Sequence, residues 1–143
     1  MRKAALYTVL LVVVVLPVAC KKGGCNVIPE VGIQRIPFST TQYQSLSGQY
    51  GSAYLQGGYR GIVVINLPFG FVAFDRCSTV NPDEGCAVEI DEDDPFILID
   101  PCSGATFSVL DGSPTNSIGR CSLKPYRVSR SSDIPGTVCY VTN

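Results

Sequence analysis

The 143-residue sequence contains no histidine, no tryptophan and a single methionine. The absence of histidine removes the usual acid/base group of neutral pH and the commonest metal-binding nitrogen. Ser-His-Asp and Cys-His catalytic arrangements are thereby excluded. Charged residues make up only 16% of the chain, and no basic stripe runs along it, so nothing points to nucleic acid. No glycine-rich phosphate loop precedes a helix. Beyond residue 20 there is no long amphipathic helical pattern and no internal repeat.

The chain starts with a short basic segment, Met1-Arg2-Lys3, followed by an unbroken weakly polar to apolar run from Ala4 to Val15. Leu16-Pro17-Val18-Ala19-Cys20 comes next, then Lys21-Lys22-Gly23-Gly24. A basic start, a short apolar run and a small residue before the cut describe an export leader. The run falls short of the ~20 residues that span a bilayer. The stretch resembles a bacterial lipoprotein leader, which implies removal of residues 1–19 and lipidation of Cys20. It departs from that pattern in placing Pro17 three residues before the cysteine, with Leu16 one step further back. Residues 20–26 then read as lipidated cysteine and tether, and residues 27–143 as one domain. Losing Arg2 and Lys3 leaves nine of the eleven basic side chains against twelve acidic ones. The expected location is the bacterial cell envelope, anchored by lipid to the outer membrane and facing the periplasm or the exterior.

Setting Cys20 aside leaves Cys25, Cys77, Cys86, Cys102, Cys121 and Cys139. An even number in a short exported domain points to disulfides. Six cysteines allow 15 connectivities, and their order alone does not choose.

Short β-branched and aromatic runs alternate with Gly, Pro, Asn and Asp clusters, the pattern of an all-β domain. Strands are expected near Val31–Ile36, Ala53–Leu55, Gly61–Asn66, Phe71–Asp75, Ala87–Ile90, Phe96–Ile99, Thr106–Leu110, Tyr126–Ser129 and Thr137–Val141. Turns are expected at Leu67–Gly70, Asp91–Pro95 and Ser131–Gly136. The stretch from Ser39 to Gly58, rich in Ser, Gln, Gly and Tyr, reads as a long surface loop. The acidic run Asp91–Asp94 lacks the spaced ligands of a calcium loop and reads as a solvated turn.

Two segments carry a family resemblance. The first is Phe71-Val72-Ala73-Phe74-Asp75-Arg76-Cys77-Ser78-Thr79 with Gly85-Cys86. The second is Ile99-Asp100-Pro101-Cys102-Ser103-Gly104-Ala105-Thr106-Phe107-Ser108 with Asp111-Gly112, followed by Leu123-Lys124-Pro125-Tyr126. Over roughly residues 50–129 their order and spacing resemble a Rieske domain, which carries Cys-x-His in one loop and Cys-Pro-Cys-His-Gly-Ser in another. The resemblance implies a small antiparallel β-sandwich or barrel with a cluster-loop subdomain. In a Rieske centre two cysteines hold one iron and two histidines the other. The four family ligand positions fall on Cys77, Thr79, Asp100 and Ser103, so one ligand in four is kept. Thr and Ser are poor replacements where soft ligands are needed. The resemblance also implies a Cys86–Cys102 disulfide bridging the two loops.

For the other cysteines, the expected last hairpin places Cys139 opposite Lys124 or Pro125. Cys121 would then lie about 10–13 Å away along the strand, too far for a disulfide. The preferred pairs are Cys77–Cys121 and Cys25–Cys139, giving three staples in all.

These readings lead to a lipid-anchored, non-enzymatic domain without cluster or other cofactor, in a structural or protein-interaction role. Its partners would be the membrane, through the anchor, and an unidentified protein that docks on the loops Cys77–Cys86 and Asp100–Ala105. One alternative is electron transfer through an atypical [2Fe–2S] cluster, as the resemblance would imply. Another is thiol-redox chemistry at Cys77, activated by Arg76 and Lys124.

Overall fold

The computed structural model describes Cys25, residues 27–131 and residues 138–143. The expected leader, Cys20, most of the tether and most of the Ser131–Gly136 turn lie outside the described residues. No helix among the described residues is long and apolar enough to cross a membrane.

The described residues are all-β, with nine strands in two antiparallel sheets. These are β1 (Ile36–Ser39), β2 (Ser52–Leu55), β3 (Ile62–Leu67), β4 (Gly70–Asp75), β5 (Glu89–Ile90), β6 (Ile97–Ile99), β7 (Thr106–Ser108), β8 (Pro125–Arg130) and β9 (Val138–Thr142). Six form a sheet in the order β1-β9-β8-β4-β3-β2, and β5-β6-β7 form a smaller one.

The run Ile62-Val63-Val64-Ile65-Asn66-Leu67 explains why β3 lies inside. Successive side chains of a strand point to opposite faces, and here both faces are apolar. Ile62 and Val64 enter one core with Phe38, Leu46, Leu55, Tyr126 and Val141. Val63, Ile65 and Leu67 enter a second core with Phe74, Leu98, Phe107, Val109 and Leu123. Each such side chain, fully buried, contributes roughly 1.5–3 kcal/mol. The second core glues the small sheet to the large one and thereby fixes the loops that β5–β7 carry.

The large sheet curls. Phe38 of β1 and Phe71 of β4 are separated by β9 and β8, yet their rings meet edge to face at 5.4 Å. In a flat sheet three strand spacings would hold them about 14 Å apart. Ile36 of β1 also closes on Gly57 beyond β2, where a Cβ would sit 2.5 Å from the Ile36 side chain. The two edges of the sheet thus approach each other.

Pro68-Phe69 turns β3 into β4, with Leu67 paired to Gly70. Asp91–Pro95 links β5 to β6. Asp91 Oδ1 accepts from the N–H groups of Asp93 and Asp94, and Asp94 Oδ1 from that of Phe96. The carboxylates of this turn thus serve their own backbone. The Ser39–Gly58 stretch holds a 3-10 turn, Gln44–Ser47, before β2.

Two expectations are corrected. The first strand begins at Ile36, not Val31, because β9 pairs only with Ile36–Ser39. Pro37, which lacks an N–H, is tolerated there because β1 is an edge. In the last hairpin Cys139 pairs with Arg130, not with Lys124 or Pro125. Cys139 thus lies five to six positions further along β8 than expected.

Candidate functional site

The two loops of the resemblance lie side by side. The first leaves β4 at Arg76 and returns at Val88. It is closed at its base by a bridge between Cys77 and Ala87, by Ser78 N–H to Cys86 O at 3.3 Å and by Val88 N–H to Arg76 O at 2.7 Å. The second turns from β6 to β7 through Asp100–Ala105. Gly104, at φ 73°, lets its N–H reach Asp100 O at 2.8 Å, while Asp100 N–H bonds Ala105 O at 2.8 Å. A disulfide joins Cys86 of the first loop to Cys102 of the second, with Cα atoms 6.2 Å apart.

Between the loops lies Asp100, completely buried. Its carboxylate accepts from Ser78 Oγ at 2.5 Å, Ser103 Oγ at 2.6 Å and Cys102 N–H at 2.9 Å. Burial opposes its ionisation. The hydrogen bonds from the Ser103 and Ser78 hydroxyls and the Cys102 N–H outweigh burial and hold the carboxyl below its ordinary value. Ser78 Oγ in turn accepts Val80 N–H at 3.1 Å. Thr79 turns away from Asp100, its hydroxyl donating to Cys121 O at 2.7 Å.

Cys77 is a buried free thiol. Its nearest acceptors are backbone carbonyls, Ser78 O at 3.5 Å and Pro82 O at 4.0 Å. Burial first, and then the charge of Asp75, push its pKa up to about 11. At pH 7 only about one molecule in 10⁴ carries the thiolate that a redox role needs. The expected activating cations are engaged elsewhere. Arg76 stacks over Tyr54 at 4.0 Å and donates to Val88 O, and Lys124 pairs with Glu30 at 3.1 Å.

Beneath Cys77, Asp75 organises the end of β4. This buried carboxylate accepts from the N–H groups of Tyr59, Arg60 and Cys77, at 2.6, 3.2 and 2.8 Å, and from Tyr126 OH at 2.8 Å. Burial, the bond to Asp75 and its charge raise the Tyr126 pKa. Gly58 sits against this network at φ 64°, where a Cβ would lie 2.5 Å from Asp75 Oδ2. The sequence alone assigned no role to the Asp75 carboxylate, the Ser78 hydroxyl or the Tyr126 hydroxyl, and marked Gly58 only as part of a turn. An acidic residue at a strand end is ordinarily exposed, and only the meeting of β4, β8 and the Gly57-Gly58 turn buries this one.

The structure brings together Cys86, Cys102, Asp100 and Ser103, with Cys77 beneath the first loop. It does not form the expected pairs Cys77–Cys121 and Cys25–Cys139. Cys121 is bonded to Cys25 instead, with Cα atoms 5.2 Å apart, so the described residues hold two disulfides rather than three. Cys139 points from β9 into the first core, while Cys25 lies on the surface. Thr79, not Cys77, is the residue of the first loop that touches Cys121. A cleft of about 530 Å³ lies beside the Cys25–Cys121 bridge, lined by Leu123, Lys124 and Tyr126, and none of the four family ligand positions faces it.

The donors at those four positions do not fit a [2Fe–2S] cluster. One is a thiol, one a carboxylate held by three donors, and two are hydroxyls that donate to protein oxygens. Such a cluster needs four soft or imidazole ligands.

No protein-family model matches the chain, and no curated protein matches it. A solved structure described as the small subunit of a nitrite reductase NADPH oxidoreductase is similar to it, with a TM-score of 0.41 and 16% identity over 78% of this chain and 98% of that one.

Proposed function

We propose that the chain is a cluster-less Rieske-like domain with an interaction role, held at the cell envelope by lipid on Cys20. The observation that carries this reading is the buried Asp100 carboxylate, satisfied by Ser78, Ser103 and Cys102. It fills the gap between the loops with a closed hydrogen-bond network, and such networks rigidify a loop pair when every member is satisfied. The two loops thereby keep a fixed outer face without metal. That face presents exposed Pro101 and Cys102, and beside Gly104 the 45% exposed Ile118. A rigid surface with an exposed apolar side chain suits docking of a protein partner.

The test is iron and acid-labile sulfide measured with free thiols, on the chain from residue 21 made in an oxidising compartment. Absence of iron together with two buried thiols supports the reading. Stoichiometric iron and sulfide overturns it and returns the chain to electron transfer. The anchor is tested separately: Cys20→Ala should move the full chain from the membrane to the soluble fraction.

A further inference from the structure

Cys86, Cys102 and Asp100, which tie the two loops together, also converge as potential metal ligands. Their three potential ligand atoms, the two sulfurs and a carboxylate oxygen, all lie within 4.8 Å of one another. Tetrahedral zinc, with Zn–S near 2.3 Å and Zn–O near 2.0 Å, needs such donors about 3.5–3.8 Å apart. The sulfurs are now joined to each other, so the site is closed to metal. The bridge is within reach of a reductant, with Cys102 exposed and Cys86 half-buried. Exposed disulfides are the labile or regulatory ones.

We infer that reduction of Cys86–Cys102 opens a mononuclear site for a thiophilic divalent cation such as Zn²⁺, with Cys86, Cys102 and Asp100 as its protein ligands. In the first step a dithiol supplies two electrons and two protons. The Cys86–Cys102 bond breaks, both cysteines become thiols, and the dithiol becomes a disulfide. In the second step the cation displaces one proton from each thiol and binds two thiolates and the Asp100 carboxylate, with water as fourth ligand. Two thiolates and a carboxylate with an open position form a reasonable zinc donor set. Asp100 is already oriented by Ser78 and Ser103, the outer-shell support that ligating carboxylates ordinarily have. The oxidation state of one bridge thereby selects between a stapled loop pair and a metal-held one. This inference stands apart from the docking role.

The experiment uses the chain from residue 21 under anaerobic conditions, oxidised or reduced with a phosphine, and titrated with Co²⁺ and then Zn²⁺. Reduced protein should bind one Co²⁺ per chain with thiolate-to-cobalt charge-transfer absorption, and Zn²⁺ should bleach it. Oxidised protein should show neither. Asp100→Asn should keep the thiolate band and weaken Zn²⁺ binding about 10-fold or more. Cys77→Ser should leave the titration unchanged. Binding that persists in the reduced Cys86→Ser/Cys102→Ser variant would place the metal on Cys25, Cys121 or Cys77 and overturn the inference. Because the phosphine also opens Cys25–Cys121, circular dichroism is followed in parallel. A reduced chain that loses its β signal and regains it with Zn²⁺ supports the site. A chain that stays unfolded with Zn²⁺, or stays folded and gives no thiolate band, refutes it.

Discussion

Replacing Asp100 by alanine removes the group to which both loops are tied. Three hydrogen bonds to a charged acceptor are lost, from Ser78 Oγ, Ser103 Oγ and Cys102 N–H. Each such bond is worth about 1.5–3 kcal/mol. Ser103 and Cys102 are partly or wholly exposed and can turn to water, whereas Ser78 is fully buried and its hydroxyl is stranded. Against this, alanine escapes the desolvation cost of a buried carboxylate, several kcal/mol. The net cost should be about 2–4 kcal/mol, a large share of the ~5–15 kcal/mol that holds a typical domain together. Asp100→Asn keeps the size and one acceptor oxygen and should cost about 1–2 kcal/mol. The assay is urea unfolding at pH 7 with both disulfides closed. Ser78→Ala gives the second arm of a double-mutant cycle, and its coupling to Asp100→Ala should exceed about 1 kcal/mol. An Asp100→Ala protein within about 0.5 kcal/mol of wild type, or strictly additive variants, would show that the network does not hold the loops.

The chain from residue 21, oxidised and native, should give no reaction with a thiol reagent, since Cys77 and Cys139 are buried. In denaturant it should show two thiols; none would mean a third disulfide. The Cys77 thiol has its pKa raised from 9.0 to about 11 in the folded state. Its contribution, about 2–3 kcal/mol, is complete below pH 9 and is lost as pH rises through about 11. Tyr126, also raised, steepens the decline, and Cys77→Ala should flatten it in urea melts run from pH 8 to 11. Gly58→Ala should destabilise by more than ~2 kcal/mol, because it needs φ 64° and places a methyl against Asp75 and Tyr126. A thermal melt comparing it with Gly32→Ala, where a Cβ meets nothing, isolates the clash from glycine entropy.

Much of the architecture follows from local chemistry. The β-branched run Ile62–Leu67 with Pro68-Phe69-Gly70 dictates a central strand and a tight turn, and period-two alternation decides which residues enter which core. The lack of histidine fixed in advance that no imidazole holds a metal. The Cys-x-Thr and Asp-Pro-Cys-Ser segments marked the two loops that the structure brings together.

The remainder depended on separations that only the folded chain defines. Disulfide pairing is a matter of Cα distance, and Cys25 and Cys121 are 96 residues apart in sequence but 5.2 Å apart in space. The register of the last strand pair places Cys139 opposite Arg130, with its side chain in the core, and composition does not encode that register. Asp100 stood in the sequence only as the occupant of a family ligand position, and that it and Asp75 are buried emerged once β4, β6 and their loops closed around them. Sequence decides which groups can ionise, pair or ligate, but burial and distance decide which of them do, and both arise from contacts between residues far apart in the chain.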